Sequence, residues 1–73
     1  MTLGEYRVGI NFNPGGNEAV ARIKRAAADL IDLIAEVDAD SSHEVQRLKS
    51  LAMTHIEDGA MWAVKAVTKK PWD

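Results

Sequence analysis

Apolar residues recur through the middle of the chain at the spacing of a helical seam. The seam advances by three and four residues in turn, at Val20, Ile23, Ala27, Leu30, Ile34 and Val37. This is the a/d pattern of a heptad repeat, which lines up apolar side chains on one face of a helix. Asn17 stands before the seam and is a good N-cap residue. The pattern predicts a helix over residues 18–37, about 30 Å long at 1.5 Å per residue.

A second and longer apolar pattern follows a polar connection. Ser41 and Glu44 have the spacing of a capping box, in which each side chain accepts a hydrogen bond from the other residue's backbone N–H. The apolar positions then continue almost to Pro71, which cannot extend a helix. We therefore expect a second helix over residues 42–70. Two helices joined by a short link form an antiparallel hairpin.

The second half of that helix, residues 57–68, is apolar nearly all round. Small residues alternate there with large apolar ones, at Gly59, Ala60, Met61, Trp62, Ala63, Val64, Ala66 and Val67. A helix of this kind is usually buried on more than one side. The shorter first helix cannot reach all of it, so we expect neighbouring subunits to approach at the small residues, with Trp62 as an anchor between them.

The N-terminal segment, residues 1–16, carries four glycines and a proline, which resist a helix. Its larger apolar residues alternate with other residues, at Tyr6, Val8, Ile10 and Phe12. Such a period of two is typical of a strand, but a lone strand has no partner within this chain. We expect an extended arm that lies over the helices or pairs with another subunit. The predicted fold is one all-α domain, residues 1–73, with this arm before a two-helix hairpin.

The size of the chain predicts that it assembles with copies of itself. A domain of 73 residues buries too small a fraction of its surface to be comfortably stable alone. Disulfides, a metal or oligomerisation usually compensate. The chain has no cysteine, and its two histidines are twelve residues apart. Neither a disulfide nor a metal or cofactor is therefore expected, and a homo-oligomer remains.

Charge and hydropathy exclude several classes of partner. The formal net charge is −2, with no basic cluster of the kind that binds DNA or RNA polymers. The first residues lack the apolar core of a signal peptide, and no apolar run reaches the roughly 18 residues of a membrane span. We expect a cytosolic protein that does not associate with a membrane.

No catalytic motif is present: HExxH, GxSxG, a P-loop and a cysteine nucleophile are all missing. An enzyme is therefore not expected. Anion binding is a candidate, because Lys24 and Arg22 lie in the first turns of the first predicted helix, where free N–H groups also favour an anion. Lys24 lies beside the apolar seam and Arg22 on its other flank. Ordinary solubilising charge is the equally weighted alternative.

The N-terminal segment adds groups that suit a nucleotide. The rings of Tyr6 and Phe12 offer stacking faces for bases, and the amide of Asn13 can read a base edge. The alternative is that both rings only anchor the segment on the helices. A helical hairpin that binds another protein, with no nucleotide ligand, also fits these features.

Two runs resemble a known family. They are Phe12-Asn13-Pro14-x-Gly16-Asn17, ahead of a helix that carries Ile23-Lys24, and Glu57-Asp58-x-Ala60-Met61-Trp62-Ala63-Val64-Lys65-Ala66. They resemble the phage anti-defence hairpin domain that anti-CBASS and anti-Thoeris sponge proteins share. The likeness covers about residues 10–67. It implies small helical proteins, commonly hexamers, that sequester cyclic nucleotide messengers intact in the cytoplasm of the infected bacterium.

The short chain favours the compact anti-CBASS type, whose implied ligands are cyclic dinucleotides such as cGAMP and also cyclic trinucleotides. The anti-Thoeris type, which binds cyclic ADP-ribose isomers, is the alternative. The resemblance implies that Phe12, in place of a tyrosine, stacks on a base, with Tyr6 as the other candidate. It further implies that Lys24 holds phosphate, and that Lys65 or Lys69 serves a trinucleotide site on a threefold axis.

Overall fold

A computed structural model describes residues 1–37 and 42–72 of the chain. These residues form three helices and no strand: α1 spans Leu3–Val8, α2 spans Glu18–Glu36 and α3 spans His43–Thr68. The prediction of an all-α fold is therefore confirmed. Within the described residues, none of the helices has the length and apolar character that a bilayer crossing requires.

The expected extended arm is wrong, because the N-terminal segment begins with a helix. Thr2 and Glu5 form a capping box: the Thr2 hydroxyl accepts from the Glu5 N–H at 3.1 Å, and the Glu5 carboxylate accepts from the Thr2 N–H at 2.8 Å. Gly9 ends the helix in the left-handed region, at φ +64°. A helix of 6 residues is too short to persist alone. α1 therefore depends on its contacts with the rest of the chain.

The two long helices have bounds close to the predicted ranges. Asn17 caps α2, since its side chain accepts from the Val20 N–H at 3.1 Å. The helix ends at Glu36, whereas residue 37 was predicted. Ser42 caps α3 by accepting from the Val45 N–H at 3.2 Å. The sequence instead predicted Ser41 as the cap of this helix, and Ser41 lies outside the described residues.

α2 and α3 form an antiparallel hairpin, and α1 lies against both. Lys49 joins the beginning of α3 to the end of α2, because its ammonium donates to the carbonyl of Ala35 at 3.1 Å. On α1, the N–H of Gly4 donates to the carboxylate of Asp32 in α2 at 2.7 Å. The guanidinium of Arg7 donates to the carboxylate of Glu57 in α3 at 2.8 Å. Polar contacts thus hold α1 to both long helices.

The buried face of α2 differs from the predicted seam. Four residues of α2 are buried: Val20, Lys24, Ala28 and Ile31. Leu30 and Val37 of the predicted seam are instead 45% and 48% exposed. The difference arises because α1 packs beside α3 and shifts the covered face toward Ala28.

The folded chain leaves much of its apolar surface uncovered. Its solvent-accessible surface is 5490 Å², against about 4,450 Å² expected for a folded monomer of 8.0 kDa. The exposed large apolar residues are Met1, Leu3, Tyr6, Phe12, Leu30, Leu33, Val37, Leu48, Leu51, Met61, Trp62, Val67 and Trp72. Of the large apolar side chains, Ile31 is the one fully buried among the described residues. The core of a single chain is therefore small.

We expect Gly4→Ala to displace α1 and to lower the free energy of unfolding by about 1–3 kcal/mol, the usual cost of overpacking. A Cβ at this position would meet the backbone carbonyl of Ala28 and the carboxylate of Asp32. Thermal unfolding measures the loss. Gly15→Ala is the matched control, because a Cβ there meets nothing within 4 Å. Equal stability of the two variants would contradict the close packing of α1 on α2.

Candidate functional site

A tight turn follows α1 and presents the ring of Phe12. The Phe12 N–H donates to the Gly9 carbonyl at 2.9 Å, which closes the turn over residues 9–12. The positive φ of Gly9 lets the chain reverse directly after the helix. The Phe12 residue is 74% exposed, so the outer face of its ring is open to solvent.

Lys24 of α2 lies beneath this turn. Its ammonium donates to the Gly9 carbonyl at 2.9 Å and also to the Phe12 carbonyl. The same nitrogen is 5.4 Å from the centroid of the Phe12 ring. Lys24 is only 7% exposed, and burial of a cation is tolerated when acceptors surround it. An ammonium has three N–H donors, so one remains beyond the two carbonyls.

Asn13 uses its side chain within the fold. Its amide nitrogen donates to the Asn17 carbonyl at 2.8 Å, and its amide oxygen accepts from the Asn17 N–H at 3.1 Å. This pair of hydrogen bonds joins the Phe12 turn to Asn17, the N-cap residue of α2. The structure therefore brings three predicted site residues together, Phe12, Asn13 and Lys24.

The other predicted site residues lie apart from that cluster. Tyr6 is 74% exposed on α1, and Arg22 borders a shallow depression beside Ile10 on the outer side of α2. Lys65 lies 5.4 Å from the centroid of the Trp62 ring on α3. Lys69 follows the end of α3. In the described part of the chain, no hydrogen bond or ion pair links these four residues to Phe12 or Lys24.

A groove of about 400 Å³ runs between α1 and α3, with Lys24 at its base. Its walls include Arg7, Thr54, Glu57 and Met61. The Arg7 guanidinium spans the groove, since it donates to Glu57 at 2.8 Å and to Thr54 at 3.2 Å. Arg7 was not predicted as a site residue. The Thr2-x-x-Glu5 capping box would have revealed α1, but no spacing signals a contact between residues 7 and 57.

An ionic cluster holds the other side of α1. Arg25 of α2 donates to Glu5 of α1 at 2.8 Å and also pairs with Asp29. The Arg25 hydrogen bond, followed by that of the Thr2 N–H, holds the pKa of Glu5 below its ordinary value of 4.5. Glu5 therefore stabilises the docked α1 as a carboxylate. That contribution is present above pH 4.5 and is lost as the pH falls through the lowered pKa.

Residues 5–68 match the family model described as Acb2/Tad1, hairpin domain. The chain belongs to the Acb2/Tad1 hairpin family. This match confirms the resemblance to the anti-CBASS and anti-Thoeris sponge proteins. The family broadly comprises phage anti-defence proteins that act as sponges for cyclic nucleotides. No curated protein and no solved structure matches the chain.

The matched region of the Acb2/Tad1 hairpin contains every predicted site residue except Lys69. It begins inside α1, at Glu5, and ends with the last residue of α3, Thr68. The last four residues of α1 thus lie within the family domain. Within the residues that the structure describes, no group of three His, Asp or Glu side chains could hold a metal ion.

We expect Glu5→Gln to lower the melting temperature at pH 7 and to have a smaller effect below pH 4.5. In the wild type the carboxylate then takes up a proton and loses its attraction to Arg25. Thermal unfolding from pH 3 to pH 7 gives the difference at each pH. Glu44→Gln is the control, because Glu44 pairs with Arg47 inside α3 and joins no two helices. A wild-type advantage over Glu5→Gln that is independent of pH would contradict this role of Glu5.

Proposed function

We propose that the protein binds cyclic dinucleotides such as cGAMP and holds them intact, as an anti-CBASS sponge of the compact type. One observation carries the proposal: the exposed ring of Phe12 lies beside the ammonium of Lys24, at 5.4 Å. An aromatic face stacks on a base, and a cation attracts the adjoining phosphate. A stacking face for a base and a cation for a phosphate are therefore presented together by the Phe12 turn and α2.

Binding alone suffices for this function. A sponge lowers the free concentration of the messenger, so that the host effector is not activated, and it needs no chemical step. The polar side chains around the Phe12 turn support binding rather than catalysis, because they are engaged in holding the turn in place. Asn13 is engaged with Asn17, and Lys24 with two carbonyls. The protein is accordingly proposed to be a binder and not an enzyme.

The proposal includes a homo-oligomer, with a hexamer as the expected state. The surface of the single chain exceeds that of a typical monomer, and Met61 and Trp62 of α3 are 60% and 58% exposed. These side chains lie in the helical stretch that has small residues at Gly59, Ala60 and Ala63. A second copy would cover this surface. It would also shelter a base stacked on the Phe12 ring, which is 74% exposed among the residues that the structure describes.

Cyclic trinucleotides are proposed as a second class of ligand, held by Lys65 and Lys69 on a threefold axis. Support comes from the pairing of Lys65 with Trp62, which repeats the combination of a cation and an aromatic ring seen at Phe12. Arg22, exposed on α2, is a further candidate for phosphate. Cations brought together by threefold symmetry would suit a ligand with three phosphates.

Calorimetric titration with three ligands tests the function. We expect a cyclic dinucleotide to bind, at a fixed ratio of ligand to subunits. Binding of a cyclic ADP-ribose isomer without binding of the dinucleotide would place the chain with the anti-Thoeris type. A cyclic trinucleotide tests the second site. If none of the three ligands gives a heat of binding, the sponge function is overturned and a hairpin that binds another protein is favoured.

Replacement of Phe12 by alanine should weaken dinucleotide binding by about 5-fold to 150-fold, because a stacked base contributes about 1–3 kcal/mol. Phe12→Tyr keeps the ring and should retain affinity. The matched variant is Tyr6→Ala, which removes an equally exposed ring from α1. Calorimetry compares the three. A loss in Tyr6→Ala alone would move the stacking role to Tyr6.

Trp62→Gln should weaken the oligomer, because it removes a large apolar side chain from the surface that a second copy would cover. Sedimentation velocity at several concentrations measures the shift toward monomer. Trp72→Gln makes the same change beyond α3 and outside the matched region, and it should leave the distribution unaltered. Identical distributions for both variants and the wild type would remove Trp62 from the interface.

A further inference from the structure

We infer that Lys24 is a positioning residue, which fixes the turn that carries Phe12 before any ligand arrives. The inference deepens the proposed function, but its first part concerns the free protein alone. The ammonium of Lys24 donates to the carbonyls of Gly9 and Phe12, the first and last residues of the turn. One buried cation thus holds both ends of the segment that presents the ring.

Little else holds the Phe12 ring in place. The residue is 74% exposed, so packing contributes little to its orientation. Its own N–H closes the turn on Gly9, and the pair of bonds between Asn13 and Asn17 fixes the chain on the following side. Among the hydrogen bonds of the described residues, those of Lys24 join the turn to the middle of α2, whereas the Ile10 N–H donates to Glu5 of α1 at 3.0 Å. Without that cation, the turn would lose its hydrogen bonds to α2.

The two carbonyls use two of the three N–H donors of this ammonium, and Lys24 also lines the groove between α1 and α3, where a ligand would meet the third. A phosphate at that position would meet a cation already placed by the protein, next to a ring already placed by the same cation. Fixing groups in advance reduces the entropy lost on binding. Lys24 therefore acts on the ligand directly and through Phe12, and removal of Lys24 also removes part of what Phe12 contributes.

The chain is well suited to a test in the absence of ligand. Phe12 is its only phenylalanine, so fluorophenylalanine gives a single ¹⁹F resonance from the turn. We expect Lys24→Met to move this resonance toward the value of an unfolded peptide, while far-UV circular dichroism retains α2 and α3. Lys49→Met is the matched control. Lys49 also donates to two carbonyls, those of Ala35 and Val37, but far from Phe12 in sequence. The ¹⁹F resonance of the Lys49→Met variant should stay at the wild-type position.

Chemical rescue separates the lost ammonium from a general disturbance. The chain has no cysteine, so Lys24→Cys can be alkylated with bromoethylamine in denaturant and refolded. The product restores an ammonium on a side chain of nearly the same length, and it should return the ¹⁹F resonance to the wild-type position. If Lys24→Met does not fold, this rescued protein and its unalkylated form carry the comparison. An unchanged resonance in Lys24→Met, or no return after alkylation, overturns the inference.

A double-mutant cycle adds the ligand. Each single variant, Lys24→Met and Phe12→Ala, lowers the dinucleotide affinity by some factor. If Lys24 acts partly through Phe12, the double variant should lose clearly less affinity than the product of these two factors. Losses that multiply would show two independent groups and overturn the coupling. Should the wild type bind no cyclic dinucleotide, the proposed function fails, whereas the ¹⁹F result still decides whether Lys24 positions the turn.

Discussion

The small amount of apolar surface that one chain can bury governs this structure. A helix of 26 residues lies against one of 19, and the short α1 covers only part of the face that both leave open. Hydrophobic burial is the main favourable term in folding, and it grows with the area removed from water. The side chains of Trp62 and Met61 stay exposed on α3 because neither α1 nor α2 covers them. Their burial between subunits is what the proposed oligomer adds.

The docking of α1 has a different physical basis. Bonds from Gly4 to Asp32, from Arg7 to Glu57 and from Arg25 to Glu5 hold it to the long helices. Exposed ion pairs contribute little individually, so the position of α1 depends on several contacts acting together. The element that leads into the Phe12 turn is thus held less firmly than the hairpin. A ligand or a second copy that covers the turn would stabilise it by binding the docked form.

The hairpin could be predicted from sequence because its signals are local. The spacing of apolar residues and the cap at Asn17 located α2, and Pro71 limited α3. α1 was missed because the alternation of Tyr6, Val8, Ile10 and Phe12 imitates a strand, although Thr2 and Glu5 carry a helix-start signal. The close approach of Gly4 to Ala28 has no signature in one sequence.

The residue types of the candidate site could be predicted from the sequence, but their spatial arrangement could be predicted only in part. Phe12 and Lys24 were singled out by residue type and by the family resemblance, and the structure places them together. The burial of Lys24 beneath the turn was not foreseen, because the predicted seam turned a different face of α2 toward the core. Asn13 was expected to read a base, whereas its amide is engaged with Asn17. Such details depend on packing between residues that are distant in sequence, and residue spacing along one helix gives no information on that packing.

Recovery of the ligand tests the sponge most directly. The protein is incubated with a cyclic dinucleotide and freed of unbound ligand by gel filtration. It is then denatured by heat, and the released material is identified by chromatography and mass spectrometry. We expect the intact cyclic dinucleotide to co-elute with the protein and to be recovered unchanged, however long the incubation. A linear product that accumulates with time would contradict a sponge and show an enzyme.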